Sequence, residues 1–343
     1  MAETHPTHFT KNQSKNGQEA SEEDKLSQDY KDLILSLPRE KGWTSPYLYQ
    51  FQGFWFRPTQ LQAIITFQEH FQAKDSDVIV ATFPKSGTTW LTALTFAIVN
   101  RRRFSSSENH PLLTSNPHDI VPSFEFTVYA NTHDKVPHLS NMIEPRVFGT
   151  HIPFPLFAES IKESNCRIIY ICRNPLDNFV SAWIFFSKMR QESLPALTLE
   201  EAFEMYCNGI IGFGPSWNQI LSYWNESIAR PHKVLFLKYE DLKQDVNFHV
   251  KRVAEFLGCS FTHEEENSGV IENIIKLCSF ENMKDLEVNN SEATGRNLWK
   301  KHLFRKAEVG DWVNYLSPSM VEKLSKIIEE KLSKSGLSFE AYS

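Results

Sequence analysis

The sequence predicts an α/β protein: a single domain with a central, mostly parallel sheet flanked by helices on both faces. Three observations predict it. Short β-branched apolar runs, VIVATF (Val78 to Phe83), RIIYIC (Arg167 to Cys172) and VLFLKY (Val234 to Tyr239), read as strands covered on both sides. Helical patterns alternate with them, which is how a parallel sheet is connected. Each run ends in polar or basic residues (Lys85, Arg173, Tyr239), at the edge where open α/β sheets bind ligands.

Composition narrows the function. The 343 residues, 41% hydrophobic and 13% aromatic, suffice for one large α/β domain or two small ones. A net charge of -6 and a pI of about 6.1 argue against nucleic acid held by bulk charge. Any bound anion must be held by local basic residues. The five cysteines form no CxxC pair, so neither a zinc cluster nor a disulfide scaffold is indicated, and a reducing cytosol fits. No span is long and apolar enough to cross a bilayer, and the N-terminus has neither an apolar signal core nor the acid-poor character of a transit peptide.

In chain order, residues 1–29 are polar and are expected to be a disordered tail, with the domain running from 30 to 343. YKDLILSL reads as a helix stopped by Pro38. YLYQFQGFWF (Tyr47 to Phe56) is either core or one wall of an apolar pocket. Pro58 to Gln72 reads as a helix leading into the first strand. Pro84 stops that strand. Gly87 lets the backbone turn closely, and Ser86, Thr88 and Thr89 are expected to cap the helix Thr89 to Val99. A helix N-terminus with Lys85 beside it is an anion site for phosphate or sulfate. It is no Walker A loop, because the first Gly is missing and Lys85 precedes Gly87.

RRRF (Arg101 to Phe104) reads as a solvated helix end, Ser105 to Asn116 as loop, and VPSFEFTVYAN (Val121 to Asn131) as pocket mouth or packing. In RVFGTHIPFPLF, a strand ends at His151 before a proline-rich loop, a place where catalytic groups sit. Arg173 suits a phosphate contact, since guanidinium forks match phosphate oxygens. Ser181 rides on the helix that Pro175 and Asp177 start. Thr198 to Ile228 is helical, interrupted by a GFGP turn. Glu240 and Asp241 are expected to cap the next helix, which Gly258 closes. Ser319 to Leu332 is a final amphipathic helix.

PKSGTTWL (Pro84 to Leu91) resembles the signature loop of sulfotransferases that use 3′-phosphoadenosine 5′-phosphosulfate (PAPS), and the likeness runs through nearly the whole chain after the tail. It is greatest with the plant soluble branch, not the membrane-anchored Golgi enzymes. The resemblance implies a P-loop-like sulfotransferase fold in which Lys85, Ser86, Gly87, Thr88, Thr89 and Trp90 grip the 5′-phosphosulfate. THIP matches the segment of the catalytic histidine, making His151 the general base and Lys85 its catalytic partner. CRNP…S makes Arg173 and Ser181 the 3′-phosphate pair. Tyr239 matches a residue at the cofactor, and LCSFENM implies that Phe280 packs on adenine. LFRKAEVGDW matches an RKG…GDW pattern, adding Arg305, Lys306 and Ala307.

Three positions depart from the pattern. Gly149 stands where the animal branch has a lysine, Ile184 where plant relatives have His, and Ala307 where the pattern has Gly. If position 307 needs a positive φ, Ala costs stability and affinity. The implied reaction is in-line sulfuryl transfer from PAPS to a hydroxyl of a small plant metabolite (hydroxyjasmonate-like, flavonoid or brassinosteroid), in the cytoplasm. No metal, nucleic acid or membrane is expected to take part, and the chain is expected to be a monomer. A catalytically weakened PAPS-binding protein is the alternative. A nucleotide kinase or NTPase fits less well, lacking a Walker lysine and a metal-holding Asp.

Overall fold

The structure, a computed structural model, describes residues 28–104, 109–130, 137–290 and 299–339. Most of the polar tail (residues 1–27), part of the loop after Phe104 and positions 131–136 lie outside the described residues.

The chain opens with the helix Gln28–Ser36 and an antiparallel sheet of β1 (Arg39–Lys41), β2 (Tyr47–Phe51) and β3 (Phe54–Phe56). The helix Pro58–His70 then leads into the central sheet. Its strands are β4 (Val78–Thr82), β5 (Val147–Thr150), β6 (Arg167–Cys172) and β7 (Val234–Lys238), all parallel, in the order β5-β4-β6-β7. β4 is central: Val80 pairs with Gly149 on one side and Ile169 on the other. After β4 the chain crosses one way to β5 and then back past it to β6. This switch point opens a crevice at the strands' carboxyl ends.

Two apolar layers explain the unbroken apolar runs. Ile79, Ala81, Phe148, Ile168, Tyr170 and Phe236 point into one core. Val78, Val80, Val147, Ile169, Ile171 and Leu235 point into the other. A strand covered on both faces has no polar alternation to show. Ile34 and Trp43 share the larger core with Leu337, so the N-terminal elements and the C-terminal segment fold onto one body.

Three expectations are corrected, and one open alternative, that for the aromatic run Tyr47 to Phe56, is resolved. Arg101 is no solvated helix end. It is buried, with its Nε 2.8 Å from Glu265 Oε1, Nη2 3.0 Å from Ser260 O, and its guanidinium over the Phe261 ring. It fastens the helix Thr88–Asn100 to the following layer, because a buried guanidinium must satisfy its donors. Tyr49, Phe54, Trp55 and Phe56 are core, so only the edge of the aromatic run reaches a pocket. The helix Thr88–Asn100 is capped by Gly87 backbone, without a side-chain bond. The cap of the helix Val246–Phe256 is Asp245, which accepts from Phe248 N–H at 2.9 Å, while the Glu240 carboxylate accepts from Asn174 N–H at 2.9 Å, joining the ends of β6 and β7.

Candidate active site

The four parallel strands deliver their chain ends to one cleft of about 910 Å³. Lys85 and Thr88 follow β4, His151 follows β5, Arg173 follows β6 and Tyr239 follows β7. Convergence of separately predicted groups is a consequence of parallel register, since all carboxyl ends lie on one edge.

The loop after β4 is bent by two left-handed residues, Lys85 (φ 67) and Gly87 (φ 104). Such a conformation in a lysine costs of order 1–2 kcal/mol and persists only where surrounding structure enforces it. At Gly87 a Cβ would lie 2.8 Å from Tyr239 Cδ2, so the close approach of the Tyr239 ring requires glycine. The first intrahelical bond runs from Leu91 N–H to Gly87 O (3.0 Å), leaving the N–H groups of the first turn available to a ligand. No acidic side chain occupies that turn, so the positive helix end is uncompensated. Lys85 Nζ sits 3.8 Å from the Phe185 ring centre. Burial pushes its ammonium down to about 7, and the neighbouring Arg173 and Arg305 charges add to this.

Ser86 departs from expectation. Its side chain is buried against Asn178 Nδ2 at 3.1 Å, and its N–H goes to Phe83 O. It shapes the loop from behind. Thr88, Thr89 and Trp90 do line the cleft.

His151 is gripped three ways. Its ring Nδ1 is 2.8 Å from Thr82 O, a carbonyl that can only accept. The proton therefore resides on Nδ1, and Nε2 carries the lone pair. Its N–H donates to Glu125 Oε1 (2.7 Å), and its carbonyl accepts from Gln219 Nε2 (2.6 Å). Burial holds the imidazole down near 4, opposed by the Thr82 carbonyl and reinforced by Lys85. Glu125 also accepts from Thr150 Oγ1 at 2.9 Å, and burial raises its carboxyl to about 7. Glu125 and Gln219 were not found from the sequence. The signal was there for Glu125: a carboxylate inside the aromatic run FEF must be buried and paired.

At the other end of the cleft, Arg173 packs its guanidinium 4.6 Å from the Tyr239 ring centre and donates from Nη2 to Glu308 O (2.6 Å). Its Nε is buried without a partner among the described residues. Arg305 and Lys306 both reach Asp311, Lys306 at 2.7 Å. Asp177 ties this loop to the helix Pro175–Met189, accepting from Gly310 N–H (2.7 Å) and Trp312 N–H (3.1 Å). Ser181, Phe280 and Trp90 complete the wall. Among the described residues no group of His, Cys, Asp and Glu could hold a metal ion, and no helix is long and apolar enough to cross a membrane.

Ala307 has φ 57, so the position does adopt the left-handed conformation. The bend carries the Glu308 carbonyl onto Arg173. Ala307→Gly is expected to stabilise the protein by ~0.5–1 kcal/mol, relief of strain outweighing the extra freedom of the unfolded chain. Urea midpoints of the two proteins check this, and an unchanged or lower midpoint would refute it.

The opposite side of the cleft is apolar: Trp43, Leu48, Phe126, Phe186, Met189 and Phe213. Phe126 and Phe213 lie edge-on to His151, at 5.9 and 5.5 Å between ring centres. The GFGP turn thus supplies pocket wall, and Phe124 and Tyr129 of the neighbouring run are core. Ile184 lines a separate side cavity of about 50 Å³ shared with Lys85 and Ser181. A Cβ at Gly149 would meet nothing within 4 Å.

A loop suited to an anion on the edge of a parallel sheet, facing an apolar pocket across a buried histidine, is the arrangement of a group-transfer enzyme. The sulfotransferase domain family matches residues 75–336. Cytosolic sulfotransferase 15 of Arabidopsis thaliana is 53% identical over 93% of this chain and 89% of its own length. The crystal structure of an Arabidopsis thaliana putative steroid sulphotransferase is similar, at 43% identity and a TM-score of 0.71, over 90% of this chain and 94% of that one. A mouse sulfotransferase complexed with PAP shares the fold, at 24% identity and a TM-score of 0.63, over 84% and 95% of the two chains. The chain belongs to the plant cytosolic sulfotransferase family, PAPS-dependent enzymes.

Proposed function

We propose that this enzyme transfers the sulfuryl group of PAPS in line to a hydroxyl of a small plant metabolite (hydroxyjasmonate-like, flavonoid or brassinosteroid), with His151 as general base. One observation carries the reading. The Nδ1–H of His151 is committed to Thr82 O, leaving a basic Nε2 between the cationic and apolar halves of one cleft.

The residues suit the co-substrate. The unpartnered Nε of buried Arg173 calls for an acceptor, and the left-handed loop at Lys85 and Gly87 leaves room for an anion. PAPS brings the sulfuryl group and a phosphate leaving group. Lys85 and the loop N–H groups take up the charge that grows on the 5′-phosphate. Arg173, Ser181, Arg305 and Lys306 anchor the 3′-phosphate and select PAPS over ATP. Tyr239 and Phe280 pack on the nucleotide. The loop at Ala307 brings its backbone to the same phosphate. His151 Nε2 accepts the proton of the acceptor hydroxyl as the new S–O bond forms. Because this transition state is loose, positioning and charge stabilisation do most of the work.

Transfer of labelled sulfate from PAPS in EDTA, to a panel of hydroxyjasmonate, flavonols, brassinosteroids and simple phenols, tests the reading. Product without added metal is expected, and the best acceptor identifies the pocket's specificity. A strict need for Mg²⁺, or transfer of phosphate, would overturn it. The strained Ala307 favours the second reading, a weakened PAPS binder. Ordinary turnover with any acceptor excludes that.

A further inference from the structure

His118 lines the same cleft and has no part in the reading above. It sits on the short helix Pro117–Ile120, with Nε2 3.0 Å from Thr89 Oγ1. The adjacent Thr88 hydroxyl is 2.7 Å from Thr82 Oγ1, which is 3.0 Å from His151 Nδ1. Two consecutive hydroxyls of the anion loop are therefore each fixed by a side chain from outside the loop, Thr88 by Thr82 and Thr89 by His118.

His118 is itself held firmly. Its N–H donates to Asn116 Oδ1 (2.9 Å). Asn116 Nδ2 donates to Asn289 Oδ1 (2.7 Å), and Asn289 Nδ2 to Met283 O (2.6 Å). Both amides are buried. The Trp299 ring meets the imidazole edge-on at 5.5 Å, and Lys300 Nζ binds both oxygens of Asp119 at 2.7 Å. A buried relay of paired amides rigidifies what it carries. It runs from the Phe280 wall, through His118, to Thr89 in the first turn of the loop helix.

We propose that His118 is a positioning residue for the transfer: its Nε2–H donates to Thr89 Oγ1 and so turns the Thr89 hydroxyl hydrogen toward the anion held by the loop. The proposal rests on the reading of this loop as the phosphosulfate site. A neutral imidazole suits the task. Burial pushes His118 down to about 3, with the His151 and Lys85 charges acting in the same sense, so it donates without adding a charge of its own. A hydroxyl that accepts one hydrogen bond is a stronger donor in the next.

The test compares wild type with Thr89→Val, His118→Phe, the double variant and His118→Gln. PAP binding by calorimetry and initial rates at saturating PAPS are the readouts, with unfolding midpoints as controls. Each of the first two changes is expected to weaken PAP binding and lower kcat by about tenfold, as for loss of one hydrogen bond to an anion. The acceptor KM should move less than threefold. The double variant should be no worse than Thr89→Val, and His118→Gln, whose amide reaches the Nε2 position, should stay near wild type. Additive losses, or a Gln as damaging as Phe, would overturn the pairing. If His118→Phe does not fold, His118→Asn, whose amide is too short to reach Thr89, takes its place. PAP binding that shows the coupling, in a wild type that transfers no sulfate, would sink the proposed reaction and keep the pairing.

Discussion

His151→Ala is expected to lower kcat by about 10²–10⁴-fold, the usual contribution of a general base, with PAP affinity changed little. The fold does not depend on the ring's basic atom. The backbone of His151 is held by Glu125 and Gln219, and those bonds survive truncation. What is lost is Nε2, held in its unprotonated form by the Nδ1–H bond to Thr82 O. Because burial places the imidazole near 4, the base stays competent well below neutrality. kcat/KM should therefore not decline between pH 7 and pH 5, and should fall only as pH drops toward 4. A loss on His151→Ala of less than threefold, or an acid limb near the ordinary histidine value of 6.5, would remove His151 from this role.

Lys85→Met is expected to lower kcat by about 10²–10³-fold, as for loss of one preorganised donor at a developing charge. Methionine keeps much of the apolar stem against Phe185 and removes the charge. The same lysine sets the alkaline side of the profile. In the free enzyme burial and the Arg173 and Arg305 charges bring it to about 7. As pH rises through 7 the ammonium loses its proton, so kcat/KM for PAPS should fall. A bound phosphate favours the charged form, so the kcat limb should lie at higher pH than the kcat/KM limb. Coincident limbs, or Lys85→Met with both limbs intact, would show that another group titrates.

The relation between sequence and structure is clearest at particular residues. The strand RIIYIC was legible with its bounds, because burial on both faces leaves an unbroken apolar run. Lys85, His151, Arg173 and Tyr239 were each legible as a polar group at a strand end. Ser86 was misread because its neighbours suggest a ligand contact, yet its hydroxyl turns back to Asn178, a residue 92 positions away. Arg101 was misread for the same kind of reason: its partner, Glu265, lies 164 positions on. Gln219 and His118 left no trace in the sequence, because their partners, the His151 carbonyl and the Thr89 hydroxyl, are brought to them only by folding.

The sequence by itself determined the parallel sheet, the anion loop and the chemical type of the groups at each strand end. These follow from local pattern, since strand, turn and helix start are set by near neighbours in the chain. Tertiary structure decided the rest: that four strand ends meet in one cleft, that His151 keeps its free nitrogen toward the cleft, and that Ala307 bears a left-handed backbone. The physical reason is distance along the chain. Contacts between residues tens to hundreds of positions apart set the pairing of polar groups, the tautomer and the strain, and none of these leaves a periodic trace in the sequence.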